Sequence, residues 1–259
     1  MKRFFLYFLL LLFIAGLAVL AFGFWNAKKV RAWAGAAAEI RSQHDVFAKE
    51  KNIESRFDAS GGKKMEELKT ELASFSTDLD SIIKETQTAQ KEIDGLNGPV
   101  ATKSVRGEID DYFQQSGEQA KDFASVVRFM RELFEVAVIF DRIKADSTLE
   151  EIRKMIGEAK GKSGEIDPET LPAEIKDSGI ELKKSVNAYL EALDQYASGK
   201  VENHDQLNAS YADFSQKQND FWGARKKLAI YANIKNLDSL GKKIDSDLLV
   251  LQRVRFSVK

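Results

Sequence analysis

From residue 65 the chain places Met65, Leu68, Leu72, Phe75, Leu79, Ile82, Thr86, Ala89, Ile93 and Leu96 at alternating spacings of three and four. That repeat keeps one stripe of a helix apolar and predicts coiled-coil-like packing over 65–96, ended by Asn97-Gly98-Pro99. Val30, Trp33, Ala37, Ile40, His44 and Phe47 follow the same alternation. A helix is therefore expected over 26–57, with a break at "DASGGKK", 58–64.

A third helix is expected from about residue 99 to 145. Its second half, "FASVVRFMRELFEVAVIFDRI", is apolar on most sides, which predicts burial by several neighbours. Arg128 with Glu132 and Arg131 with Glu135 are spaced as i,i+4 pairs, and their charge makes this helix a poor membrane span. "STLE" at 147–150 fits a capping box that opens a fourth helix to about residue 160. "GKSGEIDPETLP" is the least helical stretch after residue 64. Asp167 before Pro168 reads as a restart, followed by a stripe at Leu182, Val186, Tyr189, Leu193 and Tyr196. A final helix is expected from Asp205 to about Phe256, through Phe214, Phe221, Leu228, Tyr231, Ile234, Leu237, Leu240, Ile244, Leu248 and Leu251.

The amino terminus changes this picture. Phe4 to Trp25 is a run of 22 residues without a charge, about 33 Å as a helix against a hydrocarbon core of roughly 30 Å. Tyr7 and Trp25 sit near its ends, and Lys2, Arg3, Lys28 and Lys29 flank it. The run is longer than the apolar region of a secretion signal, and the cleavage look-alike Ala32-Trp33-Ala34 falls inside the 30–47 stripe. Retention as a signal-anchor is the expectation, with cleavage as its alternative. The resulting fold class is all-α: a single transmembrane helix (1–25), a stalk and coiled-coil hairpin (26–97) and a helical bundle (98–259), forming an elongated antiparallel bundle on one span. Basic residues are balanced on the two sides of the run, but the short leader favours a bacterial-type inner membrane with the bundle on the extracytoplasmic side; a cytoplasmic bundle is the alternative.

Composition mainly excludes. There is no cysteine, which removes disulfides and thiolate chemistry, and only three prolines occur, which favours long helices. Lys and Arg total 39 against 40 Asp and Glu, so the chain carries no global signal for nucleic acid. The segments 147–202 and 203–259 have opposite net charge, a pattern that attraction between neighbouring helices accounts for.

Candidate chemistries fail on spacing. Gly161-Lys162-Ser163 lacks the earlier glycine of a phosphate loop, since Ile156 stands where it belongs. Neither His44 nor His204 has a glutamate three positions before it, so no di-metal bundle motif forms. The doublets Glu66-Glu67, Asp110-Asp111 and Glu150-Glu151 diverge by about 100° on a helix and read as exposed faces. A basic group at Arg225, Lys226, Lys227, Lys235, Lys242 and Lys243 is interleaved with Asp220, Asp238, Asp245 and Asp247. His44, in a helical seam, is a candidate pH-sensitive register position. No catalytic, cofactor-binding or metal residue is assigned. Two roles fit: a non-enzymatic interaction or scaffold protein of the cell envelope, touching the membrane through 4–25 and a protein partner or itself through helical faces; or a sensor-type bundle holding a small molecule near Arg128 and Arg131 and working through a partner.

Overall fold

The computed structural model describes residues 2–60, 65–140, 142–143, 147–199, 204–228, 231 and 234–254. Side chains are described from residue 19 onward, those of residues 65, 66 and 234 excepted. The expected stripe positions Met65 and Ile234, the carboxylate Glu66 and the helix ends at 145 and 256 lie outside the described side chains.

The protein is all-α. Among the described residues there is no strand, and eight α-helices follow in order: α1 Lys2–Gln43, α2 Val46–Ala59, α3 Met65–Gly95, α4 Lys103–Phe140, α5 Leu149–Glu165, α6 Ala173–Ala197, α7 His204–Ala224 and α8 Ile234–Gln252. α1 runs without a break through "NAKKVRAWAGAAA", and its stripe residues Val30, Trp33 and Ala37 are buried.

The single-pass membrane localisation expected from residues 4–25 is corrected. No helix is long and apolar enough, among the described residues, to cross a membrane. Of the apolar run, the side chains of 19–25 are described. Seven residues rise only about 10 Å against a hydrocarbon core of roughly 30 Å, and Lys28, Lys29 and Arg31 follow in the same helix. Residues 4–18 of the run lie outside the described side chains. Phe22, Phe24 and Trp25 are exposed, and the Lys29 ammonium sits over the Trp25 ring at 3.5 Å.

Other expected boundaries also move, each for a local reason. The 26–57 helix is interrupted at His44 and Asp45; the His44 N–H still bonds the Ile40 carbonyl at 3.0 Å, whereas the Val46 N–H turns to the His44 carbonyl at 2.9 Å. Asp45, a residue type favoured at helix N-caps, immediately precedes the restart. The capping box lies one residue later than expected: Thr148 accepts from the Glu151 N–H at 3.2 Å and the Glu151 carboxylate accepts from the Thr148 N–H at 2.8 Å. α5 continues through Gly161-Lys162-Ser163 to Glu165, because Ser163 is buried there and its hydroxyl donates to Asn187 Oδ1 at 2.6 Å. Asp167 caps a 3-10 turn, Pro168–Thr170, and α6 begins after Pro172. The last expected helix is two: a 3-10 turn, Arg225–Lys227, follows α7, and Leu228 adopts extended backbone while remaining buried.

The chain forms two compact units that interleave along the sequence. One comprises 1–46, 84–116 and 236–259; the other comprises 47–83 and 117–235. In the first, α1, the end of α3, the start of α4 and α8 bury Trp33, Ala37, Ala89, Ile93, Ile109, Tyr112, Leu237, Ile244 and Leu248. α8 runs antiparallel to α1, with Gly241 beside the Arg41 guanidinium and the Gln252 amide donating to the Ala34 carbonyl at 3.4 Å. Arg41 lies over the Tyr112 ring at 4.0 Å. His44 meets Glu92 at 3.3 Å, Arg106 meets Asp94 at 2.7 Å, and Lys243 pairs with Glu108.

The turn between α3 and α4 explains Gly98. A Cβ there would fall 2.9 Å from the buried Trp33 ring and collide with the Thr102 hydroxyl, which is already held by the Pro99 carbonyl at 2.8 Å. Neither neighbour is the loose end of a long side chain. Gly98→Ala is therefore expected to cost about 1–3 kcal/mol through overpacking, measured by urea unfolding followed through tryptophan fluorescence; an unchanged midpoint would oppose this account.

Candidate functional site

The second unit is organised around Phe57, at the end of α2. Its fully buried ring meets Phe123 at 4.7 Å, Phe75 at 5.5 Å and Trp222 at 5.5 Å between centroids. Each partner belongs to a different helix, so burial of one ring ties α2 to α3, α4 and α7. Phe129 and Phe221 join α4 to α7 directly, at 5.1 Å between centroids. α6 packs on α5 and α7. Arg153 pins the α6 end by donating twice to the Ala197 carbonyl, at 2.7 and 2.9 Å.

These helices do not close completely. They enclose a cavity of about 310 Å³, the low end of the range typical of small-molecule sites, roughly 300–1,000 Å³. α4 contributes Met130, Leu133, Phe134, Val136, Ala137 and Phe140; α6 contributes Leu182, Val186, Tyr189 and Leu190; α7 contributes Phe214, Gln218, Phe221 and Trp222. Leu68 and Leu72 of α3 and Ser60, just after α2, complete the lining. The spacing of three and four that makes each helix amphipathic turns these residues to one side. Among the described residues, none in the lining carries a charge.

Polar groups in the lining are few. Ser60 is buried, and its hydroxyl donates to the Phe57 carbonyl at 2.6 Å. Tyr189 is half-buried; burial pushes its phenol above the ordinary range, so it stays protonated at neutral pH. Its ring lies nearly parallel to Phe214, with 8° between planes and 6.1 Å between centroids. Gln218, in phase with Phe214 and Phe221, is exposed.

Trp222 is held from the side by ionic groups. The Arg225 guanidinium lies 4.5 Å from its ring, and Arg225 donates to Asp58 at 2.8 Å. The Tyr231 hydroxyl reaches the same carboxylate at 3.5 Å; burial first, and then the Asp58 charge, raise the Tyr231 phenol far above its usual range. Arg225 is thus placed as a structural group and not as part of a basic patch.

The residues singled out in the sequence are dispersed. Arg128 and Arg131 are exposed, on the α4 face away from the cavity. Their expected partners are engaged elsewhere: Glu132 accepts from the Asp167 N–H at 3.3 Å, and Glu135 lies 3.6 Å from Lys162. His44 and His204 belong to different units; His204 contacts the Tyr196 hydroxyl at 3.4 Å. Among the described residues no group of His, Asp and Glu is arranged to hold a metal ion. Glu151 is part of the capping box, and Asp110 has its carboxyl raised by burial and by the Asp94 charge. Lys162 pairs with Glu165 at 2.8 Å inside α5, which places Gly161-Lys162-Ser163 in a helix instead of a phosphate-binding loop. Lys242 and Lys243 pair with Asp238 and Asp247, at 2.6 and 3.1 Å.

Comparison with protein-family models, with curated proteins and with solved structures finds no match for this chain.

The Arg225 to Asp58 pair generates a test. Arg225→Met keeps an apolar stem over Trp222 but removes the charged donor from Asp58. The expected loss is about 1–2 kcal/mol, the scale of a hydrogen bond between charged groups at a partly exposed site, with a change in the Trp222 emission; full retention of both would remove the pair from the support of the cavity wall.

Proposed function

We propose that the unit formed by 47–83 and 117–235 is a binding module for a small apolar molecule. One observation carries the reading: a cavity of about 310 Å³, lined among the described residues by no charged side chain and framed by five segments of a well-packed core. A dry void of that size would cost on the order of 7 kcal/mol at about 24 cal/mol per Å³, as large as the total stability of many domains. Its partial opening to solvent lowers that figure, because water fills part of it, but water finds few partners on such a lining. An apolar guest removes the same surface from water and restores the missing contacts.

The stripes that suggested faces for a partner protein now favour this reading. In α3, Leu72, Phe75, Leu79, Ile82, Thr86, Ala89 and Ile93 are all buried, so over these positions the helix offers no apolar stripe outward. The ligand-binding alternative keeps its support, but at the other face of α4 from Arg128 and Arg131.

The test uses the full chain and a neutral apolar fluorophore, N-phenyl-1-naphthylamine. Saturable, single-site enhancement of its emission is expected, together with a raised melting temperature; at a hundred times Kd the stabilisation is about 2.7 kcal/mol. Ala137→Phe, which places a ring in the cavity, should weaken binding at least tenfold without lowering stability. Non-saturable enhancement, or equal affinity in Ala137→Phe, would overturn the reading.

A further inference from the structure

We propose that the unit formed by 1–46, 84–116 and 236–259 carries at one end a docking face for an anionic lipid surface. The inference is independent of the cavity, which belongs to the other unit, and it concerns contact with head groups, not a crossing. Three stretches distant in sequence meet to build the face.

They meet at the level of Trp33 and Ala34 in α1. The 3-10 turn Val100–Thr102, between α3 and α4, packs on α1, and a Cβ on Gly98 of the same connection would fall 2.9 Å from the Trp33 ring. The end of α8 arrives at this level too, where the Gln252 amide donates to the Ala34 carbonyl. Further toward its start α1 loses its cover: no side chain between 19 and 26 is buried.

What this end displays is of one sign. The segments 19–38, 95–107 and 248–254 contain no aspartate or glutamate. Of the carboxylates that border the last two, Asp94 pairs with Arg106, and Glu108 and Asp247 pair with Lys243. Lys28, Lys29, Lys103 and Arg253 are exposed and, among the described residues, have neither a hydrogen bond nor an ion pair. Uncompensated cations gathered at one end attract a negatively charged surface, and beside anionic lipid each is worth roughly fivefold in affinity.

Exposed apolar groups at the same end select the kind of anion. Val100 is 90% exposed, Val250 62% and Trp25 53%, and the Lys29 ammonium lies over the Trp25 ring. Tryptophan beside lysine suits the boundary between head groups and acyl chains, where the ring is half-covered and the ammonium reaches phosphate. A nucleic-acid backbone would satisfy the cations and leave both valines in water. A second copy of this chain fits less well, because a two-fold contact through this face sets like charges against each other. It would also cover one side only, whereas Val19, Leu20, Phe22, Phe24 and Trp25 are spread around α1 at about 100° per residue. Lipid conforms to every side.

The experiment floats the full chain with vesicles of phosphatidylcholine, with and without about 30% phosphatidylglycerol. Partition to the anionic vesicles is expected to be tighter by tenfold or more and to weaken steeply as salt is raised. Lys103→Glu with Arg253→Glu should lower it by tenfold or more at an unchanged melting temperature. Both positions lie outside α1, so an apolar segment that merely adheres to bilayers would not respond to them. Lys226→Glu with Lys227→Glu, exposed lysines of the other unit, should leave partition unchanged. A blue shift of the emission on anionic vesicles is expected in the unaltered protein and should be lost in Trp25→Phe. Equal partition to neutral and anionic vesicles, indifference to the Lys103 and Arg253 reversals, or a shift that survives Trp25→Phe overturns the assignment. Dimers that shield Trp25 from a soluble quencher without lipid also overturn it, and give the face to a second copy.

Discussion

Burial of the Phe57 ring is the constraint on which the larger unit depends. A short helix such as α2, of 14 residues, has little stability of its own. It is held because its last turn places one aromatic ring against Phe75, Phe123 and Trp222 at once. Those contacts fix three longer helices relative to one another, and Ser60, one turn further, inherits its position from them. Arg225 closes the arrangement by covering Trp222 and bonding Asp58 of the same short helix. The cavity is therefore bounded on this side by an over-determined cluster, in which no ring can shift without disturbing several neighbours.

Much of the helical content was legible because stripe and burial share one cause. The strict alternation from Leu68 to Ile93 predicted α3, and its positions from Leu72 onward are buried. The interruptions were not legible, because apolar phase resumes across them. His44 and Phe47 continue the spacing of Val30 to Ile40 although the helix stops at Gln43, and Leu228 and Tyr231 continue that of Phe214 and Phe221 although α7 stops at Ala224. Periodicity records which side faces a core, and it is silent on whether the backbone between two such residues stays hydrogen-bonded. α5 shows the reverse error. Gly161 and Gly164 lower helix propensity by about 1 kcal/mol each, yet the buried Ser163 to Asn187 bond carries the helix through them. Tertiary contact outweighed a local signal that was itself read correctly.

The site was displaced in the sequence reading by the attraction of charge. Arg128 and Arg131 stood out in an apolar segment and suggested a small-molecule site beside them. On a helix of 3.6 residues per turn they lie roughly opposite Met130, Leu133, Phe134 and Ala137, which line the cavity. Their prominence marks the solvated face of α4. The informative signal was quieter: Gln218 occupies a core-phase position between Phe214 and Phe221. A polar residue in an apolar stripe points to a place where the stripe does not meet a neighbour fully. The segment 123–143, apolar on most sides, carried the complementary hint that α4 is surrounded, but surrounding and enclosure of a void look alike in one dimension.

Why a void should persist in so aromatic a core follows from one close approach. At Gly179 a Cβ would collide with the Leu171 side chain and meet the Phe129 ring in ordinary contact at 3.6 Å, so the bare backbone makes room for Leu171 while α6 rests on a ring of α4. From that level both helices run on to line the cavity, α4 through Met130 to Phe140 and α6 through Leu182 to Leu190. Two helices in contact at one level diverge beyond it at their crossing angle, and side chains must fill the growing gap. Here the gap is lined from α7 by Phe214, Phe221 and Trp222, rings that are broad but rigid about two torsions, Phe214 stacked on Tyr189 of α6, Phe221 tilted against Phe129 of α4 and Trp222 tilted against Phe57 of α2. Leucine or methionine at those positions would collapse into the gap. Rigid rings leave it open, so the aromatic composition that builds the cluster around Phe57 also leaves the cavity beside it unfilled.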